Sequence, residues 1–460
     1  MPEMVSIILA AGKGTRMKSK LPKALHPICG KAMALHVIDA CKDSGISDCI
    51  VVIGHGADQV REGLGEGVRY AIQEEQLGTG DACKRGVELL QDDDVDVLVT
   101  PGDTPLVTAE ILDLLAKAHR SSGADATLLT AILDQPGSYG RVVRTVEGGV
   151  LGIVENKDAT PKQREIREIN AAMYCFKLKV LRKYLASLTN ENAQSEYYLT
   201  DVIGKMSADG LKVQGLVSPD ADVVRGINDR VDLADLTEIL RKRVLRRQML
   251  AGVTIVDPSS TYIDSDVEIG LDTTIYPHSI LENGTRIGDN CSIGPSVRLY
   301  NVKIGNEVTV FFSNAADSLI GDGSKVGPFA HIRPGCRLGQ NVKMGDFVEA
   351  KNAVLEDGVS MGHLAYVGDA VIGEHTNIGA GVITCNYDGV SKHRTVVGQD
   401  VFLGSDVTLV APISIGDGAF IAAGSTVTEN VSGGALAIAR CRQTTKEGWA
   451  KKRREERSGR

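Results

Sequence analysis

A glycine-rich loop with two nearby cations follows the first apolar segment of the chain. Residues 9–17 read LAAGKGTRM, and Lys23 follows in LPKALHP. Glycine lets backbone N–H groups approach phosphate oxygens, while Arg16 and Lys23 would supply positive charge for a polyphosphate. Met17 stands where a dinucleotide fingerprint would have its third glycine, and the P-loop order ending in Gly-Lys-Ser/Thr is absent. By spacing alone, a plain glycine turn explains this loop equally well.

Two later loops carry oxygen ligands of the kind that a divalent cation takes. Asp103 lies in PGDTPL, directly after an apolar run, where its carboxylate would hold Mg²⁺ against bound phosphates. Asn228 in GINDR would be a neutral second ligand. Asp is also a common helix N-cap and Asn is common in turns, so the spacing leaves both alternatives open.

A third loop offers groups suited to the edge of a nucleotide base. The segment IQEEQLGTG contains Gln73, Gln76, Gly78 and Thr79, which would present side-chain amides and backbone groups to a ligand. On their own, these residues would equally form a turn followed by a helix cap.

The second half of the chain contains one residue suited to general-base chemistry near neutral pH. His363 lies in MGHLAY, in a region that also holds Arg333, Lys351 and the pair Asn386-Tyr387. Cations nearby make a neutral imidazole easier to maintain, as a base requires. An isolated histidine is more often structural, so this assignment depends on the neighbours of His363.

Alternating apolar and helical patterns in the first half predict the elements that position these loops. Strand-like runs at 6–11, 50–54, 95–100 and 126–132 alternate with helical patterns at 31–44, 79–91 and 108–120. This alternation predicts a doubly wound α/β sheet covered on both faces. Ligands of such sheets bind beyond the carboxyl ends of the strands, which is where the loops described above lie.

Residues 229–250 predict a long helix that connects two domains. The segment lacks Gly and Pro, spaces its apolar residues helically and carries five cations between positions 241 and 247. Its acidic first turns and basic last turns follow the helix dipole, which favours a connecting helix over one that binds membrane or nucleic acid. We therefore expect an α/β domain at 1–230, a linker helix at 231–251 and a second domain at 252–460.

From residue 254 onward, aliphatic residues recur every six positions and are often followed by glycine. The longest such run is Val397, Leu403, Leu409, Ile415, Ile421 and Val427. Neither a helix nor an alternating strand has this period, whereas a hexapeptide β-helix buries one such residue in each flat side of a triangular coil. A narrow coil also explains why 28 of the 51 glycines follow residue 250 and why only 4% of residues are aromatic. Residues 379–395 break the pattern and predict a loop that leaves the coil.

Charge, cysteine content and hydropathy exclude several classes of protein. The net charge is −8, although the tail from Arg440 onward carries nine Lys/Arg against three Asp/Glu, so nucleic acid is not expected as the main partner. Nine cysteines without a C-x-x-C pair disfavour a zinc site or a disulfide framework and favour a reducing cytoplasm. No apolar stretch approaches about 18 residues, so no membrane-spanning helix is expected. The first apolar run, at 5–11, predicts a strand and not a signal peptide.

Together these motifs resemble the GlmU family, whose members join an N-acetylglucosamine-1-phosphate uridylyltransferase to a glucosamine-1-phosphate acetyltransferase. The resemblance runs from residue 4 to residue 449 and is carried by LAAGKGTRM, LPK, EQLGTG, GDTPL, YGR, IVENKDAT, EIN, NAQSEYYLTD, GPFAHIRPG, GDFVEAK, GHLAYVGD, GAGVITCNYDG, VFLGS and IAAGSTV. The first motif indicates only a sugar nucleotidylyltransferase, whereas GHLAYVGD with CNYDG and the hexapeptide repeats indicates this family. The resemblance implies an α/β doubly wound nucleotidyltransferase domain, a connecting helix and a left-handed parallel β-helix, an exception to right-handed crossovers.

For the first domain, the resemblance implies in-line transfer of UMP from UTP to N-acetylglucosamine 1-phosphate, with release of pyrophosphate. Arg16 and Lys23 would stabilise the triphosphate and the transition state, and Asp103 and Asn228 would bind Mg²⁺. The residues implied to hold the uridine nucleotide are Leu9, Ala10, Ala11, Gly12, Gln73, Gly78 and Thr79. Those implied to bind the N-acetylglucosamine unit are Gly140, Glu155 and Asn170.

For the second domain, the resemblance implies acetylation of glucosamine 1-phosphate by acetyl-CoA. His363 would take the proton from the 2-amino group, and Arg333 and Lys351 would bind the sugar phosphate. Residues implied to contact the sugar are Tyr366, Asn377, Asn386 and Tyr387, and those implied to line the acetyl-CoA site are Ala380, Ser405, Ala423 and Arg440. The resemblance also implies a homotrimer with acetyltransfer sites between subunits, and a supply of precursors for peptidoglycan and lipopolysaccharide.

Two positions depart from the family pattern. Ser195 replaces the usual glycine of NAQGEYY, and Ala171-Ala172 replace Thr-Gly after Asn170. Both lie at the implied sugar pocket, so we expect any effect to fall on sugar selectivity and not on nucleotidyl transfer.

Two alternatives make different predictions from the same chain. A single-function sugar-1-phosphate nucleotidylyltransferase with a regulatory β-helix would need no base and no amino-sugar loop in its repeats, whereas His363 and Asn386-Tyr387 are present. A non-catalytic assembly subunit would have lost the cations and the carboxylate of its first domain, whereas Arg16, Lys23 and Asp103 are all present.

Overall fold

The computed structural model describes residues 4–458. The chain forms two compact units, Met1–Arg243 and Val244–Arg460, and the division between them falls within one 21-residue helix. The predicted functional limits at 230 and 252 lie near the two ends of the same helix and stay a prediction. No helix among the described residues is long and apolar enough to cross a membrane.

The first unit is built from strands and helices that alternate along the chain. Its strands are β1 (Met4–Leu9), β2 (Pro27–Ile28), β3 (Lys31–Ala32), β4 (Cys49–Ile53), β5 (Arg69–Ile72), β6 (Asp96–Pro101), β7 (Ala126–Ile132), β8 (Arg141–Arg144), β9 (Val150–Val154), β10 (Glu168–Lys177) and β11 (Val213–Val217). Its helices are α1 (Met33–Asp43), α2 (Ala57–Leu64), α3 (Thr79–Val87), α4 (Ala109–Ser122), α5 (Pro161–Arg164), α6 (Leu178–Leu185), α7 (Thr200–Ala208) and α8 (Arg230–Leu250), the predicted connecting helix. Short 3-10 turns occupy Thr15–Met17, Lys23–Leu25 and Asp222–Val224.

The main sheet of this unit has the strand order β11-β7-β10-β6-β1-β4-β5, with the hairpin of β8 and β9 attached to β10. β1 pairs in parallel with β4 and β6, and β7 pairs in parallel with β11. β10 runs antiparallel to both β6 and β7, which the sequence did not predict. Most of β10 is buried, so it lacks the alternation that marks a half-exposed strand.

Helices cover both faces of the sheet, which confirms the doubly wound prediction. On one face α1 and α4 bury Val37 and Leu112, and on the other α6 and α7 bury Leu181 and Ile203. The close approach of α3 to β1 depends on Gly86, because a Cβ there would lie 2.6 Å from a side-chain carbon of β1.

The second unit is a stack of short strands followed by one helix, α9 (Trp449–Ser458). The strands are β12 (Thr254–Ile255), β13 (Tyr262–Ile263), β14 (Glu268–Ile269), β15 (Thr274–Ile275), β16 (Ile280–Glu282), β17 (Arg286–Ile287), β18 (Ser292–Ile293), β19 (Arg298–Ile304), β20 (Thr309–Val310), β21 (Asn314–Ile320), β22 (Lys325–Val326), β23 (His331–Ile332), β24 (Arg337–Leu338), β25 (Lys343–Asp346), β26 (Glu349–Lys351), β27 (Val354–Leu355), β28 (Ser360–His363), β29 (Tyr366–Gly368), β30 (Ala370–Ile372), β31 (Asn377–Ile378), β32 (Ile383–Cys385), β33 (Thr395–Val397), β34 (Phe402–Leu403), β35 (Thr408–Val410), β36 (Ile413–Ile415), β37 (Phe420–Ile421), β38 (Thr426–Val427) and β39 (Leu436–Ala437).

The register of these strands confirms the hexapeptide prediction. Parallel pairing places Ile275 opposite Ile293 and Leu403 opposite Ile421, so one coil takes eighteen residues, or three sides of six. These four aliphatic side chains are buried inside the coil. The fold is the predicted left-handed parallel β-helix.

The interruption of the repeats is shorter than predicted. Strand β32 lies inside the predicted loop 379–395 and pairs in parallel with β35, with Thr384 opposite Leu409. The chain leaves the coil only after Cys385 and returns in β33. The prediction failed because Thr384 occupies an inward position where the pattern has an aliphatic residue; its hydroxyl is bonded to the backbone N–H and C=O of Gly368, at 2.8 and 3.1 Å.

Candidate active sites

A cleft of about 600 Å³ lies beyond the carboxyl ends of β1 and β6 in the first unit. The sequence-predicted residues that line it are Leu9, Ala10, Ala11, Gly12, Arg16, Lys23, Gln73, Gln76, Gly78, Thr79, Asp103, Glu155, Asn170 and Asn228. Gly140 lies just behind this lining, where a Cβ would be 3.4 Å from Oε2 of Glu155. The fold therefore brings the predicted nucleotide, metal and sugar residues of this unit to one cleft.

Two cationic side chains in the cleft are paired with the two predicted metal ligands. Lys23 Nζ forms an ion pair with Oδ2 of Asp103, and Arg16 Nη2 donates to Oδ1 of Asn228 at 2.9 Å. The 3-10 turns Thr15–Met17 and Lys23–Leu25 present the two cations. Two of the cationic side chains in the cleft are thus each held by an oxygen atom that a metal ion would also use.

The glycines of the first loop have different roles. Gly14 adopts a left-handed conformation, with φ of 58°, and a Cβ there would lie 2.7 Å from Cβ of Lys23. Gly14 therefore lets the loop turn closely past Lys23. No atom lies within 4 Å of a Cβ placed on Gly12, so that side of the loop is open to a ligand.

The predicted base-edge residues also hold the start of α3 in place. Gln73 Nε2 donates to the carbonyl of Gly78 at 3.1 Å and to Oδ2 of Asp81 at 2.8 Å. The Thr79 hydroxyl accepts a hydrogen bond from the backbone N–H of Leu199 at 3.1 Å. Since the side-chain nitrogen of Gln73 donates to groups within the fold, the side-chain oxygen of Gln73 is the atom left to contact a ligand.

Glu155 is a half-buried carboxyl group among other acids. Burial raises the pKa of Glu155, and the nearby charges of Asp201, Asp158 and Glu196 raise it further. The Thr200 hydroxyl donates to Glu155 Oε1 at 3.1 Å, which opposes part of this increase in pKa. The environment therefore makes the ionised form of Glu155 less favourable than it is in water.

The two departures from the family pattern share one backbone property. Ala172 and Ser195 both adopt left-handed conformations, with φ of 57° and 55°. The family pattern has glycine at both positions, and glycine adopts this conformation without the steric cost that a Cβ imposes. Asn170 remains oriented, because its Nδ2 donates to the Tyr174 hydroxyl at 2.7 Å.

In the second unit, one row along a corner of the β-helix joins the predicted base to the predicted acetyl-CoA residues. Successive parallel strands align one inward-pointing residue from each coil, and the row consists of the residues that follow these by two positions. Its members are Asp346, His363, Ala380, Ser405 and Ala423. Arg440 lies at the end of the row, with its Cδ 3.7 Å from a Cβ placed on Gly424. Residues spread over almost a hundred positions thus form a continuous edge.

His363 has a carboxylate partner that the sequence analysis missed. Asp346 stands opposite His363 in the pairing of β25 with β28, and its Oδ1 contacts His363 Nδ1. This contact lowers the pKa of Asp346. A carboxylate on Nδ1 favours the tautomer whose free Nε2 can accept a proton. The repeat pattern could have identified this partner, since residue 346 lies one coil before residue 363.

Three cations meet on a neighbouring side of the coil. The register that pairs Ile332 with Ala350 places Arg333 and Lys351 next to each other on adjacent coils. Lys392, which the sequence analysis missed, contacts Lys351, and this contact with the charge of Arg333 lowers the pKa of Lys351. Like charges gathered in this way favour an anionic ligand.

Of the predicted amino-sugar residues, Tyr366 and Asn386 lie near these cations. The Tyr366 ring folds over Gly368, where a Cβ would collide with its hydroxyl. Asn386 Nδ2 donates to Asp369, which also accepts from Asn352. Asn377 lies in β31, and the Tyr387 hydroxyl donates to the carbonyl of Gly389 at 2.7 Å within its own loop.

The fold and the first cleft define a class of protein: a nucleotidyltransferase domain followed by a left-handed β-helix. Residues 6–147 match the family model of the MobA-like NTP transferase domain, and residues 258–348 and 315–415 match that of the GMPPB C-terminal domain. A solved chain from Bacillus anthracis, provisionally assigned as a glucose-1-phosphate thymidylyltransferase, is 20% identical and aligns with 51% of this chain and 94% of its own at a TM-score of 0.43.

Curated relatives specify the family within this class. The bifunctional protein GlmU of Brevibacillus brevis and that of Geobacillus thermodenitrificans are each 49% identical to this chain, over 98% of both sequences. That of Caldanaerobacter subterraneus is 49% identical over 98% of this chain and 99% of its own. The chain belongs to the GlmU family. It is a bifunctional enzyme of UDP-N-acetylglucosamine synthesis, with uridylyltransferase and acetyltransferase activities.

Proposed function

We propose that the cleft of the first unit binds UTP and N-acetylglucosamine 1-phosphate. The observation that carries this proposal is the pairing of Lys23 with Asp103 and of Arg16 with Asn228 beside a glycine-rich loop. A triphosphate would bind the two cationic side chains, and a divalent cation would bind the two oxygen ligands. Together they would replace both pairs at once. The uridine nucleotide would contact Leu9, Ala10, Ala11, Gly12, Gln73, Gly78 and Thr79, and the N-acetylglucosamine unit would contact Gly140, Glu155 and Asn170.

Asp103 and Asn228 would hold Mg²⁺, which when bound neutralises charge on the phosphates. A carboxylate and an amide oxygen fit this ion, because Mg²⁺ prefers oxygen ligands. Within residues 4–458 no group of three or more His, Cys, Asp or Glu side chains is placed to hold a metal ion. Such a sparse donor set suits Mg²⁺, which usually keeps several waters and binds substrate phosphates.

The proposed uridylyl transfer is a single in-line displacement. A phosphate oxygen of N-acetylglucosamine 1-phosphate attacks the α-phosphorus of UTP, and a new P–O bond forms as the bond from that phosphorus to the β-phosphate breaks. Pyrophosphate leaves with the electron pair. Arg16 and Lys23 would stabilise the negative charge of the triphosphate, so positioning and charge neutralisation supply most of the rate enhancement.

We propose that the row in the second unit transfers an acetyl group to glucosamine 1-phosphate. The amine nitrogen attacks the carbonyl carbon of acetyl-CoA, the C–S bond breaks and the CoA thiolate leaves. His363 Nε2 takes the proton from the amine and can return it to the thiolate. Asp346 would hold the tautomer that this requires, and the alignment of His363 with Ala380 and Ser405 supports the arrangement.

The remaining proposed contacts of this unit are with the sugar phosphate, the sugar and acetyl-CoA. Arg333 and Lys351 would bind the sugar phosphate. Tyr366, Asn377, Asn386 and Tyr387 would contact the sugar, and Ala380, Ser405, Ala423 and Arg440 would line the acetyl-CoA site. The cluster of cations on Lys351 supports the phosphate assignment.

We further propose a homotrimer with acetyltransfer sites between subunits. An apolar ridge supports it: Phe312, Phe329, Phe347 and Leu364 are 41, 55, 59 and 62% exposed. The centroids of successive rings of the ridge lie 5.9 and 5.3 Å apart, and its last residue adjoins His363. Exposed apolar patches of this kind mark protein interfaces, so a second copy would cover the ridge beside the base.

We propose that residues 1–230 form the uridylyltransferase domain, residues 231–251 the linker helix and residues 252–460 the acetyltransferase domain. We propose a cytoplasmic enzyme, which the nine free thiols support. The net charge of −8 argues against nucleic acid as a partner. The product would supply peptidoglycan and lipopolysaccharide precursors.

The test is to incubate the purified protein with glucosamine 1-phosphate, acetyl-CoA, UTP and Mg²⁺ while following CoA thiol and pyrophosphate separately. We expect both to be released. If no thiol is released, and pyrophosphate forms only when N-acetylglucosamine 1-phosphate is supplied in place of glucosamine 1-phosphate, the result would favour the alternative, a single-function nucleotidylyltransferase with a regulatory β-helix.

A further inference from the structure

The loop before β8 contacts the segment that carries one of the proposed metal ligands. Tyr139 directly precedes Gly140 of the proposed sugar pocket, and its hydroxyl accepts a hydrogen bond from the backbone N–H of Gly226 at 3.3 Å. Asn228 follows Gly226 by two residues. One side chain therefore links the sugar side of the cleft to the cation side.

The segment that receives this contact is packed against the other proposed metal ligand. The backbone N–H of Ile227 donates to the carbonyl of Asp103 at 2.9 Å. A Cβ placed on Gly226 would lie 3.5 Å from Oδ1 of Asp103, so the backbone passes close to this carboxylate. A shift of Gly226 would therefore change the relative position of Asp103 and Asn228.

A buried cation holds the loop that carries Tyr139. Arg141 is only 3% exposed, and its guanidinium donates to the carbonyl oxygens of Tyr139 and of Gly137, the latter at 3.0 Å. On the other side, the Gly140 carbonyl accepts from the backbone N–H of Asn170 at 2.9 Å. The loop is thus tied to the sugar pocket at one end and to the Gly226 segment at the other.

We infer that Tyr139 is a positioning residue that couples occupation of the N-acetylglucosamine pocket to binding of the divalent cation. This inference rests on the proposed roles of Gly140, Asp103 and Asn228. A sugar nucleotide that orders the loop would fix Tyr139, hold Gly226 and so pre-position the two cation ligands. Because such coupling is reciprocal, the cation would tighten binding of the sugar nucleotide by the same factor.

The test measures binding without turnover. UDP-N-acetylglucosamine is titrated calorimetrically into the full-length protein with Mg²⁺ absent and with Mg²⁺ saturating, and the ratio of the two dissociation constants gives the coupling. In Tyr139→Phe we expect the affinity without Mg²⁺ to stay within about twofold of wild type, while the ratio falls about 3- to 10-fold, the range that loss of one hydrogen bond gives. Arg141→Lys, which lacks the rigid guanidinium fork that reaches both carbonyls, should lower the ratio in the same direction.

Tyr70→Phe is the matched control, because the Tyr70 hydroxyl also bonds a backbone group, the carbonyl of Gly65 at 2.6 Å, outside the lining of the cleft. It should leave the ratio unchanged. An unchanged ratio in Tyr139→Phe, or an equal loss of affinity with and without Mg²⁺, would overturn the inference. Failure of the proposed function would have a different sign: the wild type would not bind the sugar nucleotide, or the Mg²⁺ effect would survive Asp103→Asn.

Discussion

Lys23 and Asp103 form an ion pair inside the nucleotide cleft, with side chains 16 and 29% exposed. The pair joins the residue proposed to hold the triphosphate to the residue proposed to hold the metal ion. The ion pair therefore places an ammonium group on the carboxylate that a divalent cation would need. A triphosphate that attracts Lys23 would release Asp103, so nucleotide and cation should bind together.

Removing the ammonium should let a divalent cation bind without nucleotide. We expect Lys23→Met to bind Mn²⁺ alone about fivefold tighter than wild type, since about 1 kcal/mol of charge repulsion corresponds to that factor. Electron paramagnetic resonance of free Mn²⁺ measures this affinity. Lys31→Met is the control, because Lys31 forms a similar ion pair with Asp39 outside the lining of the cleft. Equal Mn²⁺ affinity in Lys23→Met and wild type would contradict the prediction.

Single substitutions should separate the two activities. We expect His363→Ala to lower CoA thiol release about 100- to 10,000-fold, the range for loss of a general base, and to leave pyrophosphate release unchanged. Asp103→Ala should abolish pyrophosphate release and leave thiol release unchanged. Two separate assays check both, thiol release with glucosamine 1-phosphate and pyrophosphate release with N-acetylglucosamine 1-phosphate, with the exposed His278→Ala as control. Loss of both activities in either variant would argue against two independent sites.

Stability should depend on pH through Glu155. Burial and neighbouring acids raise the pKa of Glu155 in the folded protein above its ordinary value of 4.5. The contribution of Glu155 to the free energy of unfolding is therefore fully present below pH 4.5. It is lost as the pH rises through the raised pKa, because the folded state resists ionisation of this group. We expect Glu155→Gln to be more stable than wild type at pH 7, with the difference disappearing toward pH 4.

Thermal unfolding of both proteins between pH 4 and pH 8 measures this difference. Glu147→Gln provides the control, because Glu147 is an exposed glutamate in a turn of the same unit. A difference between Glu155→Gln and wild type that stays constant over the whole range would refute the assigned cause.

Glycine should relieve strain at the two positions that depart from the family pattern. Left-handed conformations cost a residue with a Cβ about 1–2 kcal/mol, and the greater unfolded-state entropy of glycine offsets about 0.4–1 kcal/mol of that. We expect Ala172→Gly and Ser195→Gly each to raise the free energy of unfolding by about 0.5–1 kcal/mol. Urea denaturation measures the change. The neighbouring Ala171→Gly, a buried strand position without positive φ, should be destabilising; a gain there equal to that of Ala172→Gly would count against backbone strain as the cause.

Local patterns predicted the elements but not all of their pairings. The period of six could be read directly, because each side of the coil repeats the same inward position. Strand β10 was missed because it is largely buried, and Thr384 hid one strand of the coil because a satisfied hydroxyl replaced the expected aliphatic residue. In the first case burial removed the alternation, and in the second the side-chain type is one that only its tertiary neighbours make acceptable.

The sequence by itself determined the two-part architecture, the family and the loops that carry Arg16, Asp103 and His363, because these follow from periodicity and from short motifs. Only the tertiary structure decided which groups touch. Lys23 meets Asp103 across 80 positions and Tyr139 meets Gly226 across 87. Sheet order and coil register bring such residues together, and neither is encoded within a local segment of the chain.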